Sequence, residues 1–286
     1  LMQEIFSYLN EDYNDLARCA QVNKEWRDII YYDQKQLAYN SSFSNSQWKR
    51  CFGDQVLAGE EEQNDFASLP DNIGSILRSP CPAFPGKRVF ETHVLFRMNK
   101  TVGRTADGQE IPLTLKTLGE LARKYFPNTT NNTGYRNIWG NILAQHGDTP
   151  IQKSCWMLMT GGLLEGSRGK SFATQQAMVT GLALDESGRP VYAVPKTLEA
   201  TLGILTEYFR TTTLGTPEVP EGIPGTRLLN NDGILRSYTR CKEQTLSNAG
   251  NAWRNLVGGF APGGVVVTDF LYDDVNVNFG VVGSRK

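Results

Sequence analysis

Two stretches of the chain carry residues whose types and spacing could do chemistry. Residues 161–171 read Gly161-Gly162-Leu163-Leu164-Glu165-Gly166-Ser167-Arg168-Gly169-Lys170-Ser171, after a strand-like run and before a helical one. That is the setting in which a glycine-rich loop wraps a phosphate with backbone N–H groups at a helix start. Lys170 would bring charge to the phosphate and Ser171 a hydroxyl to magnesium, with Asp269 after Val265-Val266-Val267 as the acid holding that ion. The pattern wants glycine where Leu164 stands, and a Cβ there obstructs the backbone nest. The other stretch places Cys155 nine positions after His146, with Asp148 available to orient the imidazole. This is the raw material of a thiol nucleophile and its base. Cys155 opens the apolar run Cys155-Trp156-Met157-Leu158-Met159, however, and desolvation raises a thiol's pKa against the thiolate. A basic loop at a helix start and a buried structural cysteine are the plainer readings, and they are preferred.

Weaker signals surround these. Tyr135, Trp139, Trp156 and Phe172 could line a groove, although aromatic residues at helical spacing more often fill a core. Arg236, Arg240 and Lys242 flank Tyr238 at strand spacing, which fits an acidic ligand or simply a solvent-facing edge. The histidines number two, His93 and His146, and the five cysteines (Cys19, Cys51, Cys81, Cys155, Cys241) form no Cys-x-x-Cys pair. No metal site and no cofactor are expected from such spacing. An odd, dispersed cysteine set reads as reduced thiols in a cytosol-like, cytoplasmic setting.

The elements that would position these groups are mixed. Helical spacing covers Gln47–Phe52, Asp71–Arg78, Thr114–Tyr125, Tyr135–Gln145, Ser171–Leu184 and Pro195–Phe209, with Pro195 at a first helical position. Strand-like runs cover Val89–Met98, Cys155–Met159, Arg236–Lys242, Leu256–Phe260, Val265–Tyr272 and Val275–Val282, and Gly258–Gly264 reads as a wide turn. Asp107-Gly108 marks a hairpin turn. The polar run Asn40–Ser46, the acidic run Glu60–Glu62 and the proline-flanked Cys81 give residues 34–87 the texture of a connector. The expected fold class is α+β, a mixed α/β body over residues 88–286 with a β-rich tail. A net charge of −1 over 286 residues offers no basic footprint for nucleic acid, and no run of about 18 apolar residues marks a membrane span.

Ahead of the connector lies a small amphipathic unit. Leu1, Ile5, Phe6 and Leu9 share one helical face. Asp15 can cap a second helix bearing Leu16, Cys19 and Ala20, and Asn23 a third bearing Trp26, Ile29 and Ile30. A unit of this size exposes more apolar surface than it can bury alone, so it asks for a partner.

The order Glu-Ile-Phe-Ser-Tyr-Leu, then Asp-Leu-x-x-x-Ala-x-Val-x-Lys-x-Trp-Arg-x-Ile-Ile, resembles an F-box over residues 1–33. F-box motifs normally open a few residues earlier with Leu-Pro-x-Glu, so the motif reads as truncated at its start. The resemblance implies a three-helix unit docking a Skp-type adaptor, and through it a cullin ubiquitin ligase. Leu1, Ile5, Phe6, Leu9, Leu16, Val22, Trp26 and Ile29 would form the contact. It also implies a non-enzymatic adaptor whose body holds an unknown target. Further segments (Ser79-Pro-Cys-Pro, Glu91-Thr-His, Gln145-His-Gly-Asp, Gly166-Ser-Arg, Tyr238-Thr-Arg-Cys) resemble a poorly characterised domain found behind F-boxes in chlamydia-like intracellular bacteria. That resemblance implies a secreted effector at work in a host cytosol. The rival expectation is an effector enzyme, a thiol hydrolase or nucleotide binder merely recruited through its F-box.

Overall fold

The computed structural model describes residues 34–54, 56, 65–129, 132–213, 237–261, 263–271 and 275–286. The three helices expected of the F-box, with Leu1, Ile5, Phe6, Leu9, Leu16, Val22, Trp26 and Ile29, lie outside the described residues, as does Arg236.

The architecture is α+β and is organised around one buried helix between two sheets. The first sheet holds β1 (His93–Met98), β5 (Cys155–Thr160) and β10 (Ser284–Arg285), in the antiparallel order β1-β5-β10. The second has the order β4-β8-β7-β6-β9, built on the antiparallel meander β6 (Tyr238–Leu246), β7 (Ala252–Ala261) and β8 (Gly264–Leu271). Two short parallel strands flank it, β4 (Asn137–Ile138) on β8 and β9 (Phe279–Gly280) on β6. A separate hairpin joins β2 (Thr101–Arg104) to β3 (Glu110–Pro112) around Asp107-Gly108. Gly108 takes φ +86° there, a conformation that glycine adopts without steric cost.

Six helices accompany the sheets among the described residues that follow a helical stretch at 34–41: α1 (Asn45–Phe52), α2 (Ile73–Arg78), α3 (Leu115–Ala122), α4 (Gly140–His146), α5 (Phe172–Thr180) and α6 (Thr197–Thr213). α6 is the central one. Ala200, Leu202, Leu205 and Phe209 are fully buried, and so is Thr201 on another side; a helix buried all round belongs inside a core. Gly203 lets it approach the first sheet, for a Cβ there would sit 2.1 Å from the Met159 Cε. The helix starts two residues after Pro195. Glu199 fixes that start by accepting the Lys196 N–H at 2.8 Å, as the third residue of a capping box does.

The first sheet is covered on both faces. Phe96, Met98, Met157 and Met159 face the main core with α6, while Leu95, Trp156 and Leu158 pack the other way. Part of the cover on that second face comes from residues expected to act as a connector. Ala38, Leu69 and Ile73 join Trp156, and Cys81 and Ala83 join Leu158 beside Val89, Leu164, Phe172 and Val179 of the body. Residues 42–44 also guard the free edge of β1: Phe43 N donates to Leu95 O and Arg97 N to Phe43 O, both at 2.9 Å, so this edge offers no unpaired ladder there. From the same stretch Phe43, Trp48, Cys51 and Val56 enter the main core. The described part of 34–87 is therefore packed into the body.

Several expected elements differ: the strand read over Val275–Val282 is only β9, and Val89–Glu91, read as strand, form a 3-10 turn before β1. The helix read over Tyr135–Gln145 begins at Gly140, because Tyr135 is fully buried with its hydroxyl on Leu115 O at 2.6 Å and 137–138 pair with β8. Gly258 and Gly259 lie within β7 and not in a turn. A Cβ on Gly258, at φ +158°, would meet Ser237 O at 2.1 Å.

Candidate functional site

Lys35, Ala38 and Tyr39, on the helical stretch 34–41, form a seam with the body. Lys35 Nζ donates to Asp71 Oδ1 at 3.0 Å and to Ala67 O at 3.3 Å, and lies over the Phe66 ring. Ala38 is buried, and Tyr39 meets Phe66 and Trp156 edge to face at 5.6 and 6.1 Å. Beneath them the Asp65 carboxylate accepts the Asn45 N–H at 2.7 Å and faces Arg97, while Trp156 Nε1 donates to Asp65 O and to Ser68 Oγ. Burial raises the Asp65 carboxyl above the usual aspartate range, against the Asn45 N–H and the Arg97 charge. Nothing in residue type or spacing marks this pair, since Asp65 follows the acidic run Glu60–Glu62 and lies 32 positions from Arg97.

The loop of residues 161–171 has another task than wrapping phosphate. Leu164 is buried in the apolar cluster under Leu158, and its N–H donates to Val281 O. Arg168 reaches Ser237 Oγ at 2.7 Å, and the Lys170 carbonyl accepts from Arg240 Nη1 at 2.7 Å. Ser171 caps α5, its hydroxyl accepting from Thr174 N. The loop thus ties α5 to the second sheet. Asp269 sits within β8, buried, its carboxyl raised by that burial.

His146 and Cys155 both line one cleft of about 860 Å³ at the start of α6. Asp148 does not orient the histidine. It pairs with Lys116 at 2.5 Å, while His146 donates from Nε2 to Gln244 O at 2.8 Å. Cys155 is half-buried at the start of β5, and burial, partly offset by Lys286, pushes its thiol up. No hydrogen bond joins it to His146. Glu199, buried, binds Lys286 at 2.8 Å. Burial alone would lower the Lys286 ammonium, and the Glu199 contact instead holds it above the ordinary lysine value. Glu243 Oε2 accepts from both Thr197 N and Thr197 Oγ1.

The remaining candidates separate cleanly. Trp156 and Phe172 are buried, with the Arg254 guanidinium 3.7 Å from the Phe172 ring centre, and Trp139 is 42% exposed. Arg240, expected near solvent, is 1% exposed and is held by Gln175 Oε1 and the Phe279 ring. A buried polar chain that no motif marks is also present: Thr92 Oγ1 lies 3.2 Å from Cys81 Sγ and 2.9 Å from His93 Nδ1, and His93 Nε2 lies 3.1 Å from the Tyr192 hydroxyl. Among the described residues, no group of three or more His, Cys, Asp or Glu side chains could hold a metal, and no helix is long and apolar enough to cross a membrane.

The F-box-like family model matches residues 1–38. F-box domains bind the Skp adaptor and thereby a cullin ligase, so the match supports an adaptor role in such a complex. The matched segment ends inside the helical stretch 34–41 that forms the seam. Neither the curated proteins nor the solved structures gave a match.

Proposed function

We propose that this chain is an F-box adaptor that docks a Skp-type protein through Leu1, Ile5, Phe6, Leu9, Leu16, Val22, Trp26 and Ile29 and holds a target protein on its α+β body for ubiquitin transfer. The observation that carries this reading is the F-box-like match at residues 1–38, whose last residues are fixed to the body through Lys35 and Ala38. A tether of this kind acts by effective concentration: a target held at a limited set of distances from the conjugating enzyme reacts as if intramolecular. The resemblance of the body to domains of chlamydia-like bacteria extends the reading to a secreted effector in a host cytosol.

One observation favours a second reading, an effector enzyme recruited by its F-box: His146 and Cys155 line one cleft. The test of the first reading is titration of a purified Skp adaptor into the full chain and into its Trp26→Ala variant. Truncating a buried anchor typically costs about 2 kcal/mol or more, so binding should fall at least thirtyfold. Equal affinity in the two proteins would sink the adaptor reading.

A further inference from the structure

The cleft at the start of α6 has a lining whose charge does not balance. Its rim carries Lys153, Lys196, Lys242 and Lys286 against Glu199 and Glu243. Glu199 is occupied by Lys286 and by the Lys196 backbone N–H. Glu243 is turned to Thr197. Among the described residues, no side chain or carbonyl pairs with the ammonium groups of Lys153, Lys196 or Lys242. Behind this cationic rim the wall is apolar, formed by Met98, Leu115, Ile151 and Leu198.

We propose that this cleft binds an amphipathic carboxylate, an organic monoanion with an apolar body of fatty-acid or aryl-acid type. Four features favour that class over others. A volume of about 860 Å³ lies within the range of pockets that enclose small organic ligands. The apolar wall gives a hydrocarbon body a place out of water, and it would do nothing for a free phosphate. The backbone donors Lys196 N and Thr197 N already serve the Glu199 and Glu243 carboxylates, so the helix start lacks the open N–H cradle that phosphate groups use. Unpaired ammonium groups at the rim supply the charge for a single carboxylate, and they discriminate it from a neutral molecule of the same shape. Cys155, half-buried in the same cleft, would be covered when the ligand is seated.

The probe is decanoate, set against decanol and butyrate, titrated by calorimetry into the full chain at low ionic strength and below micelle formation. Decanoate should bind saturably, and decanol and butyrate at least tenfold more weakly. The Lys196→Gln/Lys242→Gln variant, altered at exposed side chains without partners, should lose at least tenfold for decanoate and keep its weak affinity for decanol. Bound decanoate should also slow alkylation of Cys155 by iodoacetamide, read at that residue by mass spectrometry. Equal binding of decanoate and decanol, undiminished decanoate binding in the double variant, or no saturable binding at all would each overturn the proposal. None of these outcomes touches Skp docking, which the Trp26→Ala titration reads separately.

Discussion

The Asp65 carboxylate and the Arg97 guanidinium lie 3.5 Å apart with side chains 2% and 8% exposed, and they join the stretch before β1 to β1 itself. Removing one member of a buried pair leaves the other charge without compensation, which typically costs about 3–5 kcal/mol. Asp65→Ala should destabilise the chain by that order in urea denaturation. Replacing both with apolar residues, Asp65→Leu/Arg97→Met, should cost less than the single change. A loss under about 1 kcal/mol for Asp65→Ala would mean that the pair is solvated in solution.

A fragment of residues 88–286 should not unfold cooperatively, whereas 34–286 should show a single transition. Without 34–87 the first sheet loses the cover over Trp156 and part of that over Leu95 and Leu158, and the main core loses Phe43, Trp48 and Cys51. Within the whole chain, Trp48→Ala should cost about 3–5 kcal/mol, since that ring is fully buried with its Nε1 on Arg97 O. Sharp, protein-like unfolding of the shorter fragment would place a domain boundary near residue 88.

His93 gives a pH dependence with a definite sign. Burial lowers it from 6.5 to about 4, assisted by the Arg285 charge and opposed by a bond to the Val89 carbonyl. The folded chain therefore keeps a neutral imidazole where the unfolded chain binds a proton. Its stabilising contribution is fully present above pH 6.5 and is lost as pH falls toward 4, about 3 kcal/mol in all. Asp65, raised by burial, contributes in the opposite sense at the acid end. His93→Gln should flatten the stability profile between those two pH values. An unchanged slope would show that His93 is not the residue titrating.

Adaptor and enzyme part company at two side chains. With only a holding role for the body, Cys155→Ser and Lys170→Ala should leave target recruitment and ubiquitination intact. The raised thiol of Cys155 and the burial of Leu164 argue for that outcome. Loss of a cellular activity with Skp binding preserved, or alkylation of Cys155 far faster than its exposure explains, would favour chemistry in the cleft.

Much of the fold was legible because local chemistry announces it. Thr114 before Leu115, Asp107-Gly108 and the apolar run from Cys155 gave α3, the β2–β3 turn and β5 within a few residues. The misread parts share one cause, partners distant in the chain. Arg240 looks like a solvent-side residue until Gln175 and the Lys170 carbonyl arrive. Tyr135 fits a helix until Leu115 takes its hydroxyl. The proline-rich texture around Cys81 hid a segment that covers a sheet. The cleft was half visible: His146 and Cys155 were paired from spacing, but the lysines of the rim, Lys153, Lys196, Lys242 and Lys286, come from four separate segments of the chain.

The first sheet draws its three strands from residues 93–98, 155–160 and 284–285. Its middle strand cannot be flanked on both sides until the last of these has been synthesised, long after the F-box-like segment has left the ribosome. Closing loops of this length comes before any reward from the contacts they bring, so assembly of the body should be slow. During that interval the F-box-like segment would already have been synthesised while the apolar face of β1 and β5 awaits Val282. If the F-box-like segment docks a Skp protein as proposed, this order of synthesis offers that segment for capture ahead of a finished body, and pulse-labelled pull-down of nascent chains can time the event.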